Sequence, residues 1–218
     1  MTRNFDRLTA LAKERAHGAD PAHDFQHVLR VAENARTIAA VEGASLDVVV
    51  PAALLHELFN YPKDHPESAR SGEVCAEHAT AVLRDEGWPN DLAAQIAYCI
   101  RVHSFSRGLP AETLEAKVMQ DADRLDAIGA IGIARLFSTC ATMKRPYYDP
   151  IDPLCEAREP DDKQWGVDHF YKKLLKIPGS LHTQTARVLG AERARFIESY
   201  LSQLARELGR SALAFSDR

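Results

Sequence analysis

The stretch Ala52-Ala53-Leu54-Leu55-His56-Glu57-Leu58-Phe59 sets an imidazole beside a carboxylate at the end of an apolar helical run. Packing needs neither group there, and a buried polar pair costs free energy until it finds a partner. Two other polar clusters can supply one: His23-Asp24-Phe25-Gln26-His27-Val28-Leu29-Arg30 upstream and Asp121-Ala122-Asp123-Arg124-Leu125-Asp126 downstream. Each lies at the edge of a pattern with helical spacing. Three such clusters are hard to explain as independent surface accidents.

Phe5, Leu8, Leu11 and Ala12 recur at helical spacing and predict a first helix ending near Gly18. From Asp24, the pattern Val28, Val31, Ala32, Ala35, Ile38, Ala39 predicts a second helix that stops near Gly43. His27 and Arg30, three residues apart, share one edge of its buried stripe. Ser45 or Asp47 caps a third helix through Val48-Val49-Val50 and Leu54-Leu55 to Phe59, and Pro51 sets its first turn or kinks it. The polar loop Asn60-Tyr61-Pro62-Lys63-Asp64-His65-Pro66 follows directly, a usual place for substrate contacts.

Residues 71–86 and 90–102 read as the fourth and fifth helices, and the fifth delivers His103 at its C-terminal end. A sixth pattern runs from Thr113 through Leu114, Val118, Leu125, Ile128 and Ile131 to Phe137. Gly129 and Gly132 within it mark close helix packing. Residues 143–166 hold Pro146, Pro150, Pro153 and Pro160 with Tyr147, Tyr148 and many charges, and read as a lid or flexible loop. Two last helices are expected around 169–175 and 183–208. No alternating strand pattern and no internal repeat occurs, so the expected fold is all-α: a single domain spanning 1–218 with about eight helices and one long Pro-rich loop.

The chain has 218 residues, enough for a sizeable core, and a formal charge of −4. That balance offers no basic stripe for a nucleic-acid polymer. No charged-then-apolar leader follows Met1 and no apolar run reaches the roughly 18 residues of a membrane span, so a cytoplasmic protein without membrane attachment is expected. Cys75, Cys99, Cys140 and Cys155 form no C-x-x-C pair, and three of them fall in apolar helical patterns, as buried thiols do.

Imidazole and carboxylate together suit a borderline divalent ion, and such mixed sites commonly keep positions open for water. His27, His56 with Glu57, and one acid from Asp121, Asp123 and Asp126 make a four-ligand set of this kind. A divalent ion there lowers the pKa of bound water and polarises a phosphoryl or carbonyl oxygen, which is hydrolytic chemistry.

The order His27 … His56-Glu57 … Asp123 resembles the signature of the HD-domain metal-dependent phosphohydrolases, with Glu57 in place of the family's namesake aspartate. More narrowly, His23-Asp24-x-x-His27-x-x-Arg30-Val31, Ala52-Ala53-Leu54-Leu55-His56, Pro62-Lys63-x-x-Pro66-Glu67, the run Gln120 to Ala130 and His169-Phe170-Tyr171-x-Lys173-Leu174-Leu175 are similar to the small bacterial single-domain branch. The resemblance covers residues 5 to 208. It implies an all-helical fold and one divalent ion (Mn, Fe, Co, Ni, Zn or Mg) held by His27, His56, Glu57 and Asp123. It further implies hydrolysis of a phosphoester or phosphoanhydride in a small phosphorylated substrate, a nucleotide foremost.

Within that resemblance, Glu57, Asp126 and His103 are the candidate catalytic residues. Asp121 and Asp126 are placed to orient a ligating histidine, and His103 to contact phosphate or act as a general acid. Arg30, Lys63, Arg124 and Lys173 are the candidate substrate contacts. Lys144, Arg145, Tyr147 and Tyr148 begin the loop that would close over a base or sugar. His65, His78 and His182 read as structural or exposed. Both monomer and homodimer are compatible with the sequence. A catalytically weakened metal- or nucleotide-binding module is the alternative that the Glu57 exchange raises. A two-metal oxygen-using relative would need His78 or His103 as further ligands.

Overall fold

The computed structural model describes residues 5–15, 24–61, 65–104 and 108–211. His23, Gly18 and Lys63 lie outside the described residues. Among those described, nine α-helices and no strand occur, in the order α1 (Asp6–Arg15), α2 (Phe25–Glu42), α3 (Leu46–Leu55), α4 (Ser71–Asp85), α5 (Asn90–Val102), α6 (Leu114–Asp126), α7 (Gly129–Thr142), α8 (Asp168–Lys172) and α9 (Gln184–Glu207). None of these helices is by itself long and apolar enough to cross a membrane. By chain contacts the described residues fall into two compact units, one within Met1–Arg124 and His182–Ala186, the other within Leu125–Leu181 and Arg187–Arg218.

In the first unit α3 is the central element. Every residue from Val48 to Leu55 is buried, and α1, α2 and α5 pack on α3 while α4 packs on α5. A helix apolar on all sides belongs in a core, so its polar successors His56 and Glu57 are carried out of that core to its edge. The helix stops at Leu55 and not at Phe59 as the apolar run suggested, with His56 as its C-cap, and Pro51 sits in mid-helix rather than in the first turn. The Cys75 thiol helps to close this end: its sulfur lies 3.3 Å from the Leu55 oxygen and 3.2 Å from the His56 oxygen. Burial pushes this thiol up to about 12, so it stays protonated and remains a donor.

α2 begins and ends where its sequence indicates. The Asp24 carboxylate accepts a hydrogen bond from the His27 amide at 2.9 Å, and Gly43, at φ 79°, turns the chain out of the helix while its amide bonds the Ala39 carbonyl. Cys75, Cys99 and Cys140 are buried free thiols and Cys155 is half-buried.

The expected continuous sixth helix is two helices. The apolar period carries on through Leu125, Ile128 and Ile131, but Gly129 adopts φ 76°, which interrupts the helical path between α6 and α7. Gly132 does mark a close approach, because a Cβ there would collide with the Ala127 carbonyl.

In the second unit, residues 143–166 contain no helix, yet polar contacts fasten them throughout. Arg158 forks onto Asp168 with bonds of 2.5 and 2.8 Å, the Asp161 amide adds a third at 2.6 Å, and His169 Nδ1 lies 2.8 Å from Asp162 Oδ2. The Gly166 and Val167 amides bond the carbonyls of Pro146 and Tyr147. Phe170 is fully buried in this unit and packs against the half-buried Phe137 and Tyr200, while the exposed Tyr147 stands edge-on to Phe137.

Candidate metal centre

Three elements of the first unit meet at the C-terminal end of α3: the first turn of α2 brings His27, the α3 cap brings His56 and Glu57, and α6 brings Asp123. His56 Nδ1 lies 2.6 Å from the Ala53 carbonyl, an acceptor only, so Nδ1 bears the proton and Nε2 presents a lone pair. That Nε2 is 3.2 Å from His27 Nε2. Glu57 Oε1 lies 4.0 Å from each of the two Nε2 atoms, and Asp123 Oδ1 lies 3.7 Å from that of His27. His27, His56 and Glu57 each offer one ligand atom within 4.8 Å of the others.

The electrostatics favour a cation. Burial, and secondarily the neighbouring His27 and His103, push the His56 imidazole down to about 3, so it is neutral near pH 7 and ready to ligate. Two buried imidazoles face two carboxylates that are only partly exposed, at 15% and 24% for the Glu57 and Asp123 side chains. Nitrogen and oxygen donors of this softness fit a first-row divalent ion. The residues present therefore fit the metal that the sequence pattern implies.

His103 belongs to the same cluster. Its ring stands edge-on to His56 with centroids 5.3 Å apart, and its Nδ1 lies 2.5 Å from the Ile100 carbonyl. As in His56, the ring is oriented by a backbone carbonyl at Nδ1. Arg30 is half-buried one turn along α2 from His27.

The other described candidates make the following contacts. The Arg124 guanidinium donates to Gln120 Oε1 at 2.6 Å and lies 3.2 Å from His182 Nε2. Asp121, expected to orient a ligating histidine, accepts the amides of His182 and Thr183 at 2.9 and 2.8 Å and the Thr183 hydroxyl at 2.8 Å. Asp126, expected in the same role, is the partner of Arg135 at 2.7 Å in the second unit, where Lys173 is half-buried. Lys63 lies outside the described residues.

Two supporting contacts had no sequence signal. Gln120 Nε2 donates to the carbonyls of Val102 at 2.7 Å and Leu109 at 2.9 Å, which ties the end of α5, next to His103, to Leu109. Asn34 Nδ2 donates to the Ala122 carbonyl at 3.0 Å. A lone amide within a helical pattern gives no hint of partners 11, 18 or 88 residues away.

The helical fold and this centre place the chain in the HD domain family, whose model matches residues 24–128, a span that contains His27, His56, Glu57 and Asp123. Among individual relatives, the protein YpgQ of Bacillus subtilis (strain 168) is 35% identical over 190 residues, 85% of this chain and 84% of that protein. The crystal structure of Bacillus subtilis YpgQ in complex with ADP matches with a TM-score of 0.74 at 32% identity, covering 94% of this chain and 97% of that one. An HD-superfamily hydrolase from Bacillus thuringiensis matches with a TM-score of 0.73 at 27% identity, covering 94% and 96% of the two chains.

Proposed function

We propose that this protein is a divalent-metal-dependent phosphohydrolase acting on a nucleotide, with His27, His56, Glu57 and Asp123 as the metal ligands. The observation that carries the reading is the pair of buried Nε2 atoms 3.2 Å apart, with the His56 proton committed to Ala53 and two carboxylates alongside. A bound divalent ion supplies Lewis acidity and lowers the pKa of a coordinated water. Ala53 orients the His56 ring, and Asp24 caps the helix turn that presents His27. His103, beside His56, is the candidate contact or general acid for the leaving phosphate oxygen, and Gln120 steadies the chain next to it. Arg30 and Lys63 are the cations for substrate phosphate. That YpgQ was crystallised with ADP supports a nucleotide as the substrate.

The test is release of phosphate or pyrophosphate from a panel of nucleoside mono-, di- and triphosphates by the purified protein with Mn²⁺, Co²⁺ or Mg²⁺. Turnover that requires metal and disappears with EDTA is expected. Metal-loaded protein that releases nothing from any substrate overturns the assignment, and stabilisation by nucleotide without turnover would reassign the chain as a binding module.

The Glu57→Asp variant is expected to bind metal and to retain or raise activity, because the carboxylate and its charge remain and only one methylene is lost. Metal content and kcat with Mn²⁺ check this. Complete loss of metal would show that the longer side chain is needed to reach the ion.

A further inference from the structure

We infer that Asn34 is a positioning residue for the metal centre: its amide fixes the register of α6 against α2 and so holds the Asp123 carboxylate opposite His27. The inference rests on reading His27, His56, Glu57 and Asp123 as metal ligands. His27 and Asn34 are seven residues apart on α2, two helical turns, and therefore share one face. Ala122 and Asp123 are neighbours on α6. That one face of α2 thus meets α6 twice, through the 3.0 Å bond from Asn34 Nδ2 to the Ala122 oxygen and through the 3.7 Å approach of Asp123 Oδ1 to His27 Nε2.

The two contacts differ in kind. The first is a hydrogen bond of ordinary length to a carbonyl whose second lone pair remains available in a helix. The separation in the second is longer than a hydrogen bond, so that approach does not lock the helices together. A slide of α6 by one residue shifts it by about 1.5 Å and turns it by about 100°, which would carry Asp123 away from His27. Ala122 is fully buried, so its carbonyl has no water to exchange for the amide. Asn34 is half-buried, and its helix neighbours Val31, Ala35 and Ile38 are buried. The Ala122 carbonyl gives an amide at this position an acceptor.

The experiment is Co²⁺ titration of the full chain, following both affinity and the visible absorption bands of the bound ion, which report its ligand geometry. Asn34→Leu keeps the side-chain volume and removes the donor, Asn34→Gln keeps a donor, and Asn34→Ala serves if leucine does not fold. Loss of affinity of roughly tenfold or more is expected for the leucine or alanine variant, with a spectrum moved toward that of Asp123→Asn and partial recovery in Asn34→Gln. Wild-type affinity and spectrum in a folded donor-less variant would overturn the inference, as would weaker binding with an unchanged spectrum. If the wild-type chain itself takes up no Co²⁺, the ligand assignment fails first. If it does and Asn34→Leu matches it, only the role of Asn34 fails.

Discussion

His56→Ala is expected to abolish metal binding. The imidazole is the hub of the centre, with Nδ1 on Ala53 at 2.6 Å, Nε2 facing His27 at 3.2 Å and its ring edge-on to both His27 and His103. Its loss removes a candidate ligand atom and the close neighbour of His27 Nε2. Supporting residues around metal ligands typically cost roughly 10- to 100-fold in affinity, so a ligand should cost more than that. Elemental analysis after dialysis against Mn²⁺ should find about one ion in the wild-type chain and none in the variant. The unfolding midpoint gives a second reading. At a metal concentration of about a hundred times Kd the wild-type protein gains about 2.7 kcal/mol from mass action, and the variant should gain nothing. His78→Ala, at an exposed position on α4, controls for simple loss of an imidazole. A His56→Ala protein that still takes up one ion would remove His56 from the ligand set.

The legible parts of the fold are those governed by local chemistry. α2 starts at the Asp24 cap and ends at Gly43, and α5 spans 90–102, because caps and apolar period both act within a few residues. The misread elements share one cause. The run through Leu125, Ile128 and Ile131 keeps its helical spacing across a real break, although only Leu125 and Ile128 are buried and Ile131 is exposed, so apolar spacing does not report backbone continuity. Only Gly129 carried the break, and a glycine inside an apolar run reads equally well as a packing site.

At the centre the same division holds. His27, His56 and Glu57 were legible because polar groups beside apolar runs are costly and therefore conspicuous. Asp121 was legible as important but not in its role, for its partners at 182 and 183 lie 61 and 62 residues away. Asp126 was set beside the ligands for the same reason, and Arg135 on the following helix claims it. Three aspartates within six positions look alike in sequence; which acid faces a histidine, an amide or a guanidinium follows from the helix face each occupies.

Arg158→Met is expected to destabilise the protein by about 3–5 kcal/mol, the usual cost of stripping the partner from a buried charge. The Asp168 side chain is fully buried, whereas that of Arg158 is 25% exposed. Removing the guanidinium deletes the paired bonds of 2.5 and 2.8 Å and a further one to the Asp152 carbonyl at 3.2 Å, leaving a buried carboxylate with the Asp161 amide and the Cys155 thiol. The reverse change, Asp168→Asn, leaves a guanidinium that water still reaches, and an amide oxygen that still accepts a bond, so it should cost less. For a chain of this length the Arg158→Met loss corresponds to a fall of roughly 6–20 °C in Tm. The double variant Arg158→Met/Asp168→Asn should recover part of that loss, because no buried charge remains uncompensated. Urea unfolding of the three variants reads all of this in one series. An Arg158→Met midpoint close to wild type would mean that residues 143–166 contribute little to stability, and that the contacts around Asp168 arrange the loop without holding the unit together.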